Sequence, residues 1–264
     1  MEELLTIMNF SHVYENEKFF LDKQYNWIDC TEINGTNGYC DKNAFNEIKQ
    51  KLKGLEPKGI HFIDSGNYHY VSELWINKIK REFTLVVFDH HSDMVKPSFG
   101  DILSCGSWIM DAIDKNNFFK NVLIIGLSKE QKDTIPNKYL DKVKCICDYD
   151  LKSINKEKLC GFLDDKLPIY ISIDKDVLSE KVVDTSWDQG LMSFDELKKF
   201  LHIIISNYKI IGLDICGEND LRKVIEIKNN DKVNSILINF LNKEDQFWYF
   251  DKLNKSNIYY SNKI

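Results

Sequence analysis

Apolar and polar positions alternate along this chain in blocks: short apolar runs, separated by stretches of helical period. Eight runs read as strands: Leu4–Phe10, Tyr25–Asp29, Ile60–Asp64, Thr84–Asp89, Val122–Leu127, Lys144–Cys147, Pro168–Ile173 and Ile210–Ile215. Most are continuous rather than alternating, which is the pattern of parallel strands covered on both faces. Helical patterns fall between them. "DKNAFNEIKQKL" begins with Asp41 as an N-cap. "YVSELWINKIK" sets Val71, Leu74 and Trp75 at helical spacing, and "DKVNSILINFLNK" has the same period. "SFDELKKFLHIIISN" opens on Ser193 with Glu196 three residues on, a capping box. Strand–helix alternation over the whole length predicts one α/β domain across residues 1–264, three layers (α/β/α) around a mostly parallel sheet. With only four prolines and no Gly/Ser-rich tract, a flexible tether has no support.

Charge and composition narrow the function. The net charge is −6, which argues against nucleic-acid binding and suits a cationic substrate. Of the seven cysteines, Cys145 and Cys147 form C-x-C in a strand-like run, and no C-x-x-C pair occurs, so a zinc ribbon is not expected. Reduced thiols in a cytoplasmic protein are the expectation. The opening "MEELLTIMNF" is acidic where a secretory leader is basic. No apolar run reaches the roughly 18 residues of a membrane helix.

In an open parallel sheet, ligands bind beyond the carboxyl ends of the strands. Four of the predicted strands deliver ionisable groups there. Asp64 and His69 follow Ile60–Ile63 in "DSGNYHY"; Asp89, His91 and Asp93 follow Phe88 in "DHHSD". Asp174 and Asp176 follow Ile173 in "SIDKD"; Asp214, Cys216 and Glu218 fall in "DICGEND". Spaced by two in extended backbone, Asp89, His91 and Asp93 converge while His90 and Ser92 point away; Asp174 and Asp176 converge likewise. Taken singly, each group suits a strand end or a helix cap. Together, so many carboxylates would repel and take up protons unless cations sat among them. Oxygen ligands mixed with imidazole suit Mn²⁺, with Fe²⁺, Co²⁺, Ni²⁺ and Zn²⁺ as alternatives. Six ligands are too many for one tetrahedral ion, which predicts a pair of ions sharing carboxylates.

These motifs resemble those of the arginase/agmatinase (ureohydrolase) family over residues 60 to 220. "DSGNYHYVSEL" is similar to its Gly-Gly-Asp-His-Ser-type element, "DHHSD" to Asp-Ala-His-x-Asp, "SIDKD" to Ser-x-Asp-x-Asp, and "DICGEND" to its late acidic element. The resemblance implies an eight-stranded, mostly parallel sheet and two Mn²⁺ ions. His69, Asp89, Asp93 and Asp174 would hold one ion, and Asp89, His91, Asp174 and Asp176 the other, with Asp89 and Asp174 bridging. It also implies that Glu218 pairs with a substrate guanidinium and that Asp93 carries the proton to the leaving amine. The products would be urea and an amine, from arginine, agmatine, a peptidyl arginine or a related guanidino or amidino compound. Family members often form trimers or hexamers, so the resemblance leaves room for a homo-oligomer.

The departures mark a short, divergent member. The first element lacks the double glycine, and no Asp-Pro follows the third. "MVKPSFGDILSCGSW" is shorter than the usual substrate loop and lacks the family's proton-shuttle histidine. Two other classes stay open: a one-zinc deacetylase on the same fold, and a non-catalytic metal-binding member. Trp187, Asp188 and Gln189 read equally as cleft lining or as a turn. "CTEINGTNGYC" reads as a surface loop, and Cys216 as a small core residue.

Overall fold

The computed structural model describes residues 5–98, 100–219 and 224–244. Its elements run β1 (Leu5–Asn9), β2 (Tyr25–Asp29), β3 (Tyr39–Cys40), α1 (Lys42–Lys51), β4 (Ile60–Phe62), α2 (Val71–Ile76), β5 (Phe83–Phe88), β6 (Leu103–Ser104), α3 (Trp108–Lys115), β7 (Phe119–Leu127) and α4 (Lys129–Lys132). Then follow β8 (Val143–Cys147), α5 (Lys156–Gly161), β9 (Ile169–Asp174), α6 (Phe194–Asn207), β10 (Ile210–Cys216) and α7 (Val224–Lys243). All eight expected strands are present in one sheet of order β2-β1-β4-β10-β9-β5-β7-β8, and every pairing in it is parallel. Leu4, the expected first residue of β1, lies outside the described residues.

The continuous apolar runs have the cause inferred for them: both faces of the sheet are covered. Alternate residues of each central strand enter different cores. Val86 and Phe88 of β5, with Ile169, Ile171 and Ile173 of β9, pack on one side against Leu197, Phe200, Leu201 and Ile204 of α6 and Leu237 of α7. Leu85 and Val87 of β5 and Tyr170 of β9 pack on the other against Ile48 of α1, Trp75 of α2 and Ile109 of α3. Each fully buried aliphatic contributes roughly 1.5–3 kcal/mol. Helix starts obey the expected capping. The Asp41 carboxylate accepts from the Asn43 and Ala44 amides, and Ser193 and Glu196 form the reciprocal box.

The two-residue strands β3 and β6 were beyond the reach of any periodicity. They pair antiparallel and join the loop "CTEINGTNGYC" to the segment after Asp93. Strand order places β4, β10, β9 and β5 side by side at the centre of the sheet. These are the four strands whose carboxyl ends carry the ionisable groups. No helix among the described residues is long and apolar enough to cross a membrane.

Candidate metal centre

Each central strand contributes its residues by a different local device. After β4, Asp64 takes a left-handed conformation at φ 72°. Its carboxylate accepts from the Phe10 and Ser11 amides at 2.8 and 2.9 Å and from the Ser11 hydroxyl at 2.7 Å, locking the ends of β1 and β4 together. A single 3₁₀ turn, Gly66–Tyr68, then presents His69. After β5 the chain does not stay extended as expected. It turns through Asp93 at φ 49°, so Asp89, His91 and Asp93 converge by a turn rather than by strand alternation. His90 and Ser92 do point elsewhere; the Ser92 hydroxyl bonds Thr134 at 2.7 Å. Asp174 ends β9 and caps the 3₁₀ turn Lys175–Val177, accepting from the Asp176 amide at 2.9 Å.

Two clusters result. His69 Nδ1 lies 2.9 Å from Asp93 Oδ2, 3.2 Å from Asp89 Oδ2 and 3.7 Å from Asp174 Oδ2. His91 Nδ1 lies 2.8 Å from Asp176 Oδ2 and 3.6 Å from Asp89 Oδ1. Asp89 therefore belongs to both clusters, one oxygen to each. Asp174, the other expected bridge, groups with His69 and Cys216. All six residues line one cleft of about 170 Å³, together with Gly66, Val95, Cys105, Gly106, Gln131 and Trp187.

The donor set fits divalent ions. His69 Nε2 is 2.9 Å from the Ser172 hydroxyl, which itself donates to Asp214, as does Ser72 at 3.0 Å. The Ser172 oxygen therefore accepts, Nε2 carries the hydrogen, and Nδ1 turns toward three carboxylates. His91 repeats the arrangement, with Nε2 3.1 Å from Asp188 Oδ1 and Nδ1 facing Asp176. An imidazole whose outer nitrogen is held by a hydrogen-bond acceptor and whose inner nitrogen faces carboxylates is the pattern of a metal-ligating histidine. Asp89 Oδ2 is buried, and no hydrogen bond reaches it. Burial and the Asp89 charge push the Asp93 carboxyl up to about 6, and burial with Asp174 and Asp89 raises Asp176. That crowding is what cations between the carboxylates would relieve.

Glu218 is not brought to this cleft. It is fully buried; its Oε1 receives the Lys175 ammonium and, at 2.8 Å, the Asn234 amide. Lys175 also donates to Asn230 and Asn234 of α7 at 2.6 and 3.0 Å. The residue before it is Gly217 at φ 94°, where a Cβ would come within 2.6 Å of Asp174 Oδ1.

Several pairings around the site carry no signature in the sequence. Trp108 Nε1 donates to Asp93 Oδ2 at 2.6 Å. Ser172 and Asp214 are opposite each other in the β9–β10 register, and so are Asp174 and Cys216. Of the "WDQ" triplet, Trp187 lines the cleft and Asp188 holds His91, while Gln189 braces its own loop through the Leu178 and Val183 carbonyls.

Known proteins share this fold. The profile of the arginase family matches residues 5–219. An uncharacterised protein of Thermotoga maritima is 31% identical over 255 residues, covering 94% of this chain and 90% of its own. Among solved structures, agmatine ureohydrolase of Thermoplasma volcanium superposes with a TM-score of 0.68 at 12% identity, covering 95% of this chain and 92% of that one. Formimidoylglutamase from Bacillus subtilis gives 0.67 at 15% identity, with coverage of 92% and 87%. Proclavaminate amidino hydrolase from Streptomyces clavuligerus gives 0.64 at 16%, with 91% and 92%. With the profile spanning most of the chain, this protein belongs to the arginase family.

Proposed function

We propose that the protein hydrolyses a C–N bond of a guanidino or amidino compound at a pair of divalent ions. The observation that carries this reading is Asp89, shared between two carboxylate–imidazole clusters on the floor of one cleft. His69, Asp89, Asp93 and Asp174 would hold one ion, and Asp89, His91 and Asp176 the other. Mn²⁺ is the ion that an oxygen-and-imidazole set suits best. When bound, the pair supplies Lewis-acid polarisation and an acidified water.

The chain's own residues supply the rest. Asp93 lines the cleft and is oriented by Trp108, so it can take the proton of the attacking water and return it to the leaving amine. Trp187 and Asp188, both solvent-exposed beside His91, offer an aromatic face and a carboxylate to a cationic substrate head. An open groove of about 470 Å³ shares Val95, Cys105, Gly106 and Trp187 with the cleft. The remainder of an arginine, a peptidyl arginine or another guanidino compound would lie there. A second reading, hydrolysis of an amide on the same site, is favoured by the diversion of Glu218 from the cleft to Lys175.

The deciding experiment offers Mn²⁺-loaded protein arginine, agmatine, other guanidino acids, formimino compounds, arginine peptides and acetylated amines, with metal counted on the same sample. Urea or formamide from one of them, with two ions bound, is the expected result. Acetate release would establish the amide reading instead. Two ions with no turnover on any substrate would refute both.

A further inference from the structure

We infer that Cys216 is a metal ligand, and that the His69 cluster is a mixed N/O/S position selecting a softer ion than its neighbour. The inference rests on the binuclear reading and deepens it. Parallel pairing of β9 and β10 puts Ser172 opposite Asp214, and Asp174 opposite Cys216 one step further along. The two rungs share a face. The first rung holds His69 Nε2 through Ser172 and Asp214; the second sets a carboxylate 3.7 Å from His69 Nδ1 and a thiol within ligand range of the same imidazole.

Distances suit an ion at that point. Cys216 Sγ lies 3.0 Å from Asp174 Oδ2, and ligand atoms of His69, Asp174 and Cys216 all fall within 4.8 Å of one another. Ligands held about 2.0–2.3 Å from a tetrahedral ion lie on the order of 3.3–3.7 Å apart, so a small adjustment closes the set. Asp89 Oδ2 is an independent pointer. It is buried, unreached by any hydrogen bond, and grouped from β5 with Asp93 at the same imidazole, 3.2 Å from His69 Nδ1. Gly217 follows Cys216 and keeps the strand end free of a side chain that would press on Asp174.

Ligation forms a metal–sulfur bond and releases the thiol proton to solvent, leaving the metal's oxidation state unchanged. Thiolate selects Zn²⁺, Fe²⁺ or Co²⁺ over Mn²⁺. Asp89, His91 and Asp176 form an all-oxygen-and-imidazole set for a harder ion. The two positions thus differ in chemistry, and the expected native content is one softer ion and one Mn²⁺-like ion.

Cobalt substitution reads this directly. Protein loaded with Co²⁺ is counted for metal and scanned for the near-ultraviolet thiolate-to-cobalt charge-transfer band. The band should be present in the parent and in Cys105→Ser, whose thiol also lines the cleft, and absent in Cys216→Ser. X-ray absorption on the parent alone should show one sulfur scatterer at about 2.3 Å, which keeps the test intact if the variant misfolds. Two cobalt ions with neither band nor sulfur scatterer would overturn the ligand and leave the binuclear reading standing. A band lost in Cys105→Ser and kept in Cys216→Ser would also overturn it. Failure to bind cobalt would overturn both.

Discussion

Lys175 and Glu218 are each fully excluded from solvent and bonded to one another where β9, β10 and α7 meet. Replacing Lys175 with Met leaves a carboxylate in the interior whose Oε1 keeps the Asn234 amide and whose Oε2 has no hydrogen-bond partner. Breaking a buried pair in this way costs about 3–5 kcal/mol, because the surviving charge has lost its compensation. Glu218→Gln leaves the ammonium with amide oxygens alone and should cost a similar amount. Removing both charges together should cost little more than either single change, so the cycle should show a coupling of at least about 2 kcal/mol. Glu17 stands close by, also bonded to Asn234; burial and the Glu218 charge push its carboxyl well above the usual range. Urea unfolding of the four proteins, followed by tryptophan fluorescence and far-ultraviolet dichroism, measures the cycle at constant m. Additive single effects would refute the pairing. The same variants decide the role of Glu218: under conditions where Glu218→Gln stays folded, turnover should survive. A folded Glu218→Gln protein with both ions and no turnover would restore the guanidinium contact that the family resemblance implied.

Asp176→Ala should lose the ion of the His91 cluster and nearly all activity while retaining one ion at the His69 cluster; two ions at normal affinity in that variant would count against the assignment. His61 is fully buried, stacked on Trp75 at 3.7 Å, and burial holds its imidazole down at about 3 against 6.5 when unfolded. The unfolded chain therefore takes the proton first. Stability should fall as pH drops from about 6.5 toward 3, by up to about 1.4 kcal/mol per pH unit, and His61→Phe should remove that share of the slope. Parallel profiles for parent and variant would refute it. Gly126, at φ 113°, passes so close to the site turn that a Cβ would sit 2.2 Å from Val177 Cγ2 and 3.0 Å from the Asp89 carbonyl. Gly126→Ala should cost about 2–3 kcal/mol, part of it recovered by Val177→Ala, and unchanged thermal stability would contradict the close approach.

What the sequence displayed and what it hid follow from the range of each interaction. The run "FTLVVF" announces a strand covered on both faces because every residue of it is apolar or β-branched, and all six are buried. The groups that follow such runs are visible for the same reason: Asp89 or Asp174 breaks an apolar run at the edge where a parallel sheet binds its ligands. Register between strands has no such signature. Ser172 and Asp214 read as one hydroxyl and one acid in separate strands until β9 and β10 are aligned, and only then do they become the support of His69. The pairing of Glu218 with Lys175 is hidden at a finer scale still. A count from Asp214 along "DICGEND" finds an acid near the expected place, but the strand ends at Cys216, the chain turns through Gly217 at φ 94°, and the Glu218 carboxylate goes to Lys175. The clue lay elsewhere, in "SIDKD". A lysine between two site aspartates, at the end of an apolar strand, cannot remain buried without an acid of its own, and Glu218 is the acid it takes.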